Sequence, residues 1–540
     1  MASYGTMAEA NMEAGPSTSS SSRLISPTTT RTRLRAASGA SSMRTVGPIL
    51  VSSSRPDELT RLITARYHAH ASSSALQETD LSVPPLGLDI QDNEPPDSFR
   101  RQTLLSLDIH RGLLLALLAG ESIQMFLRSD EEPDENWYSK QDRWTESPLY
   151  ALRLAANPAA PGLMILGGIG VVLFQQSRLQ LGWSRADLLR HSALRAAALM
   201  FISILLTIDF TVREDGPNLI QNLILWPFGI NLFLLGCITI GLLSLERRAV
   251  SKYLHHRQPE PSEAYSATHT EEEEEIDEEA LTKAEIYAYH LGNGILLTMT
   301  ALLLAMNMLA VPKQGTIASD RSDWFWFWIM PMPSEPARMY HKLLNQYAPL
   351  NWLPFGLIGV VFARFLTRRE RTKFALSVIN IALFLVFATF FILTRILKFG
   401  NLSTHLLPDH PRHPNNPYLE SWQAFLYTIK FPPDLAYSSL CLAVNSLMFA
   451  VIMLCKTEWK EKSPLLQFGR SPIFFYVANL LVFRFVSAFA LTFFGLPTKL
   501  SLGPALTCYF GTLIIVWFLC RGYIAFKDGR NSPDSIWRFF

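Results

Sequence analysis

The sequence predicts an all-α fold, a polytopic membrane bundle of about ten transmembrane helices behind a disordered N-terminal tail. Three observations predict it. Of 540 residues, 49% are hydrophobic and only 17% charged, against about 25% charged in an average soluble domain. Ten apolar runs approach or reach the length of about 20 residues that a helix needs to cross a bilayer. The loops between those runs alternate between basic and acidic, as positive-inside insertion requires. Net charge, +2, says little, because the charges are segregated along the chain.

Residues 1–98 read as a Ser/Arg-rich tail: Ser19 to Ser22, Thr28 to Thr30 and eight arginines between Arg23 and Arg66, with few aromatic residues to build a core. No apolar run follows Met1, so the first membrane helix is expected to act as its own insertion signal. The expected membrane domain covers 99–530, with helices at 104–126, 159–175, 193–210, 222–245, 288–311, 348–366, 374–397, 434–455, 470–494 and 505–526, and a short tail at 531–540. Trp324 to Met332, WFWFWIMPM, is too short to span and suits a membrane interface. Basic loops hold Arg178, Arg185 and Arg190, then Arg368, Arg369, Arg371 and Lys373, then Lys456, Lys460 and Lys462. They alternate with Asp130 to Glu135 and with the loop of Arg213, Glu214 and Asp215, so both termini are expected in the cytosol.

Two loops stand out. Residues 246–286 begin basic and turn acidic at Glu271 to Glu275, Asp277, Glu278 and Glu279, a solvated linker or a docking segment for a basic partner. Residues 398–433, expected on the lumenal or outer side, hold the sequon Asn401-Leu402-Ser403, a candidate glycosylation site, and His405, His410 and His413. A neutral imidazole there is a candidate base near pH 7. His255 and His256 lack partners at metal-ligand spacing, and the five cysteines form no C-x-x-C pair, so no metal site and no disulfide framework are expected.

The chemistry-bearing stretch is Arg100 to Phe126, RRQTLLSLDIHRGLLLALLAGESIQMF. It sets Asp108, His110, Arg111 and Glu121 into one apolar helix, where ionisable residues face protein or water because hydrocarbon does not solvate charge. Asp108 and Arg111, three apart, can pair, as a cytosolic anchor or as part of a site. Glu121 is either a base whose pKa desolvation has raised or a structural partner of an arginine such as Arg484.

Four stretches in order resemble the heparan-α-glucosaminide N-acetyltransferase-like family of polytopic acyltransferases over about residues 100–526: Ser106 to Gly112 (SLDIHRG); Ala160-Pro161-Gly162 through Gly170, Phe174, Ser177-Arg178 and Leu181 to Ser184; Pro432-Pro433; and Phe468 to Pro472 followed by Phe474-Phe475-Tyr476. The resemblance implies acetyl-CoA on the cytosolic side, a sugar amine on the other, and membrane-embedded histidines as bases. This chain departs where those histidines belong. It carries Glu121-Ser122 in place of Asp-His, Ala155-Ala156-Asn157-Pro158 before the Ala-Pro-Gly stretch, and Asn479 after Phe-Phe-Tyr. Asparagine hydrogen-bonds but is no base at neutral pH.

The expectation is therefore an acyltransferase-like scaffold without the family's usual catalysis, binding a membrane lipid, a glycan or a protein partner, with no role in nucleic-acid binding and no resident cofactor. Two alternatives remain, an active acyltransferase using acetyl-CoA, and a transporter. Candidate residues are Glu121, Asp108 and Arg111 for catalysis, and Ser122, Asn157, Arg470, Asn479, Arg484 and His405 around a central site. Arg368, Arg369 and Arg371, with Arg364 and Lys373 beside them, are candidates for CoA phosphates.

Overall fold

A computed structural model describes residues 96–127, 147–208, 220–221, 223–257, 278–311, 343–344, 347–369, 371–404, 407, 415–494 and 502–529. Among them ten helices are long and apolar enough to cross a membrane, and the chain is a multi-pass membrane protein with an all-helical body. The tail before Pro96, Trp324 to Met332, Glu271 to Asp277, His405, His410, His413 and residues 530–540 lie outside the described residues.

The helices are α1 (Pro96–Leu127), α2 (Ser147–Ala156), α3 (Ala159–Gln180), α4 (Arg185–Ile208), α5 (Leu225–Arg257), α6 (Glu278–Leu309), α7 (Pro349–Arg368), α8 (Lys373–Ile396), α9 (Trp422–Leu426), α10 (Leu435–Leu454), α11 (Thr457–Lys462), α12 (Pro464–Arg470), α13 (Pro472–Phe494) and α14 (Leu502–Asp528). A single 3-10 turn covers Pro417–Leu419. Two short strands, β1 (Ile220–Gln221) and β2 (Leu343–Leu344), pair in parallel, Ile220 with Leu343 and Gln221 with Leu344.

Local chemistry sets the helix starts. Thr372 caps α8 by accepting from the Ala375 N–H at 3.2 Å. Asp434 caps α10 by accepting from Tyr437 N–H at 2.6 Å. Ser463 caps α12 ahead of Pro464, a residue suited to a first helical turn because it has no N–H to leave unpaired. Capping also explains one difference from the sequence reading. The third membrane helix starts at Arg185, not near 193, because Ser184 and Asp187 bond reciprocally, Oγ to Oδ2 at 2.6 Å and Asp187 N to Ser184 Oγ at 3.2 Å. Arg185 and Arg190 therefore ride on the helix and not in a loop.

The acidic loop is also shorter than expected at both ends. α5 continues to Arg257 and α6 begins at Glu278. The extensions form an antiparallel stalk in which Val250, Leu281, Ala284 and Ala288 are buried against Ala249, Tyr253 and Leu254. Packed apolar faces of this kind keep both helices going past the end of the hydrophobic run.

The closest helix pairs are α8 with α10, α3 with α7, α4 with α5, and α1 with α12. The core between them holds Leu118, Met164, Leu199, Trp352, Phe355, Tyr437 and Leu480. Outward faces carry Phe374, Val378, Leu385, Phe485, Phe510, Ile514 and Phe518 exposed, as helices facing hydrocarbon should. At the α1–α12 contact the backbones touch. A Cβ on Gly469 would stand 1.8 Å from the Asp108 carbonyl oxygen, and one on Gly112 1.8 Å from that of Leu465. Only glycine permits this approach.

Candidate functional site

The polar side chains of α1 form a column along the bundle. Its two ends differ. One end carries the basic loops of α11 and α12, and the other carries the 398–434 loop.

At the basic end, Lys460 of α11 is buried and donates to Ser106 Oγ at 2.8 Å and to the Met453 carbonyl at 3.3 Å. Burial pulls its ammonium down to about 8. Arg111 binds Asp108 at 2.8 Å and the Gly469 carbonyl at 3.1 Å. The pair expected from the spacing is present, and it is tied to α12 through the glycine contact. Arg470 faces Asp108 as well. On α4, Arg195 faces Arg111 and His191, and its Nε is buried with no hydrogen-bond partner among the described residues. Arg178 caps this side, lying over the Phe174 and Trp183 rings at 5.4 and 5.0 Å, with His191 stacked on Phe174 at 4.6 Å. Asp108 thus faces Arg111 and Arg470, and Arg111 in turn faces Arg195.

Midway, His110 is buried, faces Asn445, and lies 5.7 Å from the Phe449 ring. Asn445 donates to the Pro158 and Cys441 carbonyls, each at 2.9 Å. Asn157, expected near a central site, contributes its carbonyl, which accepts from Tyr437 Oη at 2.9 Å and Cys441 Sγ at 3.5 Å. The break between α2 and α3 leaves the Asn157 carbonyl to side-chain donors of α10, while the Pro158 carbonyl accepts both from Gly162 N–H at 2.9 Å and from Asn445.

At the loop end, Glu121 forms an ion pair with Lys430. The sequence reading left Glu121 as a base or as the partner of an arginine such as Arg484; its ion-pair partner is Lys430. Lys430 comes from the segment between α9 and α10, which enters the bundle and leaves the Lys430 side chain 5% exposed and that of Glu121 24% exposed. Arg484 sits half-buried further along α13. Ser122 accepts from Asn479 Nδ2 at 3.0 Å, so two residues standing at positions of expected histidines bond to each other. Tyr476 faces Glu121 and Tyr347, and Phe431 packs edge-on against Tyr347 at 4.8 Å.

The basic residues proposed for CoA phosphates do not converge. Arg364 is held by Glu246 and by Asn293 Oδ1 at 2.7 Å. Arg368 lies 4.0 Å over the Tyr289 ring. Arg371 folds back over Phe365 at 3.6 Å and donates to its carbonyl at 2.7 Å. Arg369 is exposed. The sequon is engaged as well. Asn401 Nδ2 donates to the Thr394 and Phe399 carbonyls at 2.7 and 3.2 Å, its Oδ1 accepts from Arg395 at 2.6 Å, and Ser403 is fully buried.

Sequence reasoning missed Lys430, Arg195, Arg395 and Asp434. Lys430 is a single cation in the apolar, proline-rich stretch Tyr427 to Asp434, which was a usable signal. Arg195 falls inside an apolar run and carried no motif that singled it out. No known protein family matches the sequence, and no curated protein matches it.

Proposed function

We propose that this membrane protein binds a phosphate-bearing anion at the basic end of α1, on an acyltransferase-like scaffold that has lost ordinary acetyl transfer. The observation that carries the reading is Arg195, a cation inside a membrane helix whose nearest charged neighbour on α1 is another cation, Arg111. Arginines in a membrane interior require a counter-charge or water. Asp108 balances only one of them. A phosphate matches the planar guanidinium fork, and both phospholipid headgroups and CoA supply it.

The loss of transfer chemistry rests on the other end. Amine acetylation needs a group free to take a proton. Glu121 has Lys430 as its partner, and Ser122 accepts from Asn479, whose Oδ1 is buried with no hydrogen-bond partner among the described residues. A carboxylate held in an ion pair with a buried lysine is not free to approach an acceptor amine. On this reading the basic end faces the cytosol, with both chain termini on that side.

The second reading, an active acyltransferase, is favoured by one observation. Asp108 and Arg111 of the SLDIHRG stretch belong to the same cationic cluster, where CoA would sit. One experiment separates the two. Purified protein in nanodiscs of neutral lipid is titrated with CoA, acetyl-CoA and an anionic phospholipid, then assayed for acetyl transfer to glucosamine-type acceptors. Binding of CoA or phospholipid without transfer supports the first reading. Transfer that Glu121→Gln abolishes establishes the second. Binding of none of the three overturns both.

A further inference from the structure

α4 presents three faces around Arg195. At about 100° per residue, Ser192, Ala196 and Met200 turn toward α5. There the backbones nearly touch, since a Cβ on Gly229 of α5 would stand 2.9 Å from the Ala196 carbonyl oxygen. Leu194, Phe201 and Leu205 turn the other way and are exposed. Between these faces runs a half-buried stripe of His191, Arg195, Ile202 and Leu206, all within about 40° of Arg195. On α1, Leu118 stands within about 20° of Arg111. Leu118 and Leu199 are buried in one apolar cluster, and Ile202 and Leu206 pack against it. That cluster closes the α1–α4 seam on the side of the bundle centre.

One turn back along the stripe, His191 stacks on Phe174 at 4.6 Å, with Trp183 edge-on to it at 5.9 Å and Arg178 over the Trp183 ring. These rings stand between Arg195 and the α3–α4 turn. The approach left to Arg195 is from the bilayer, across Ala198, which is small, half-buried and about 60° from Arg195 toward the exposed face. Beyond Arg195, α4 carries no polar side chain from Ala196 to Ile202; beyond Arg111, α1 carries none from Leu113 to Ala119. Whatever extends from a phosphate held here is apolar, because a polar group would find no partner. Charge narrows the headgroup. Arg111, Arg195 and Arg470 are three guanidiniums linked to one carboxylate, Asp108, which leaves two positive charges among these described residues.

We propose that one anionic phospholipid from the surrounding leaflet binds laterally here, its phosphate on Arg195 and Arg111 and an acyl chain lying over Ala198 along α4. This rests on the reading that Arg195 serves a phosphate-bearing anion, and it adds the source. The ligand arrives from the bilayer with its hydrocarbon attached, and the exposed face of Leu194, Phe201 and Leu205 adjoins the path of that chain. Guanidiniums bind phosphate through paired N–H donors. Phosphatidylcholine fits worse, because its trimethylammonium adds a cation to a cluster that already has an excess of them. CoA fits worse, because its nucleotide would have to cross the stacked rings or lie against apolar side chains.

Native mass spectrometry of the full-length protein tests it, with detergent-solubilised protein titrated separately with dioleoyl phosphatidic acid, dioleoyl phosphatidylcholine and CoA. The expected result is one phosphatidic acid bound more tightly than either of the others. Arg195→Met should weaken that binding about tenfold or more, as the loss of a hydrogen bond to a charged group does. Ala198→Trp keeps every guanidinium and fills the path of the chain, and should weaken it about fivefold or more. Arg369→Gln, at an exposed arginine of another basic loop, should leave it unchanged. Equal affinity of the wild type for phosphatidic acid and phosphatidylcholine overturns the proposal without recourse to any variant. So does a loss in Arg369→Gln as large as that in Arg195→Met, the mark of diffuse attraction to basic loops. Phosphatidic acid binding that needs Arg195 but ignores Ala198→Trp overturns the lateral seat and leaves the phosphate site standing. CoA binding that needs Arg195, with no phosphatidic acid bound, does the same. Binding of neither overturns both readings.

Discussion

The two ends of α1 handle charge in opposite ways. At the loop end, Glu121 meets Lys430, Asn479 meets Ser122, and Arg395 has both terminal nitrogens on oxygen acceptors, its Nε being buried with no hydrogen-bond partner among the described residues. At the basic end, Asp108 faces Arg111 and Arg470, while Arg195 faces Arg111 and stands with Arg178 near His191. Charges that are paired and buried hold helices in register. Charges left in excess inside a membrane domain call for something from outside the chain. The same helix thus carries a structural end and, on the proposed reading, a binding end.

The comparison breaks most visibly if the structural end can lose a partner at no cost. Lys430→Met leaves the Glu121 carboxylate unpaired and should cost about 3–5 kcal/mol, measured by chemical or thermal unfolding in detergent. The double variant Lys430→Met/Glu121→Gln should recover most of that loss, because neither charge then remains. A double variant as unstable as the single one would show that Glu121 was never the reason. Next in size is Gly469→Ala. Its Cβ would collide with the Asp108 backbone, which no rotamer change relieves, and separating α1 from α12 should cost about 3 kcal/mol.

Arg195→Met sharpens the contrast from the other side. Removing a cation that has no ion-pair partner among the described residues should leave unliganded stability unchanged or raise it, the reverse of Lys430→Met, since isolated buried charge is costly. A smaller effect concerns pH. The Asp434 carboxyl is raised to about 6 in the fold, so its stabilising contribution is complete below the ordinary aspartate range near 4 and is lost as pH rises through 6. Melting temperature should therefore fall between pH 4.5 and 7 by an increment absent from Asp434→Asn. The smallest change is expected at Asn401. Its amide already serves three backbone and side-chain partners, so the protein should migrate identically before and after glycosidase treatment, and Asn401→Gln should cost about 1 kcal/mol.

Much of the fold was legible because hydrocarbon imposes a simple code. Apolar length reveals a span, and basic loops reveal its direction. The ten helices and the Asp108–Arg111 pair follow from that code. What was illegible depends on how loops fold back. The segment carrying Lys430 has no periodicity that says it re-enters the bundle, so the partner weighed for Glu121 was an arginine such as Arg484 and not Lys430. The α5–α6 stalk was missed because its polar surface hides a narrow apolar stripe at Val250, Leu281, Ala284 and Ala288. Arg195 was missed because it falls inside an apolar run with no motif to single it out. Its significance appears only when α1 brings Arg111 to face it.

The most direct test of the account is ligand-dependent stabilisation at Arg195. Wild-type protein and Arg195→Met, each in nanodiscs of neutral lipid, are melted with increasing CoA and, separately, with increasing anionic phospholipid. The account predicts that at least one of the two raises the wild-type melting temperature, by up to about 2.7 kcal/mol of added stability at a hundredfold excess over Kd, and that Arg195→Met abolishes most of that rise. An equal rise in both proteins, or no rise in the wild type with either ligand, would contradict it.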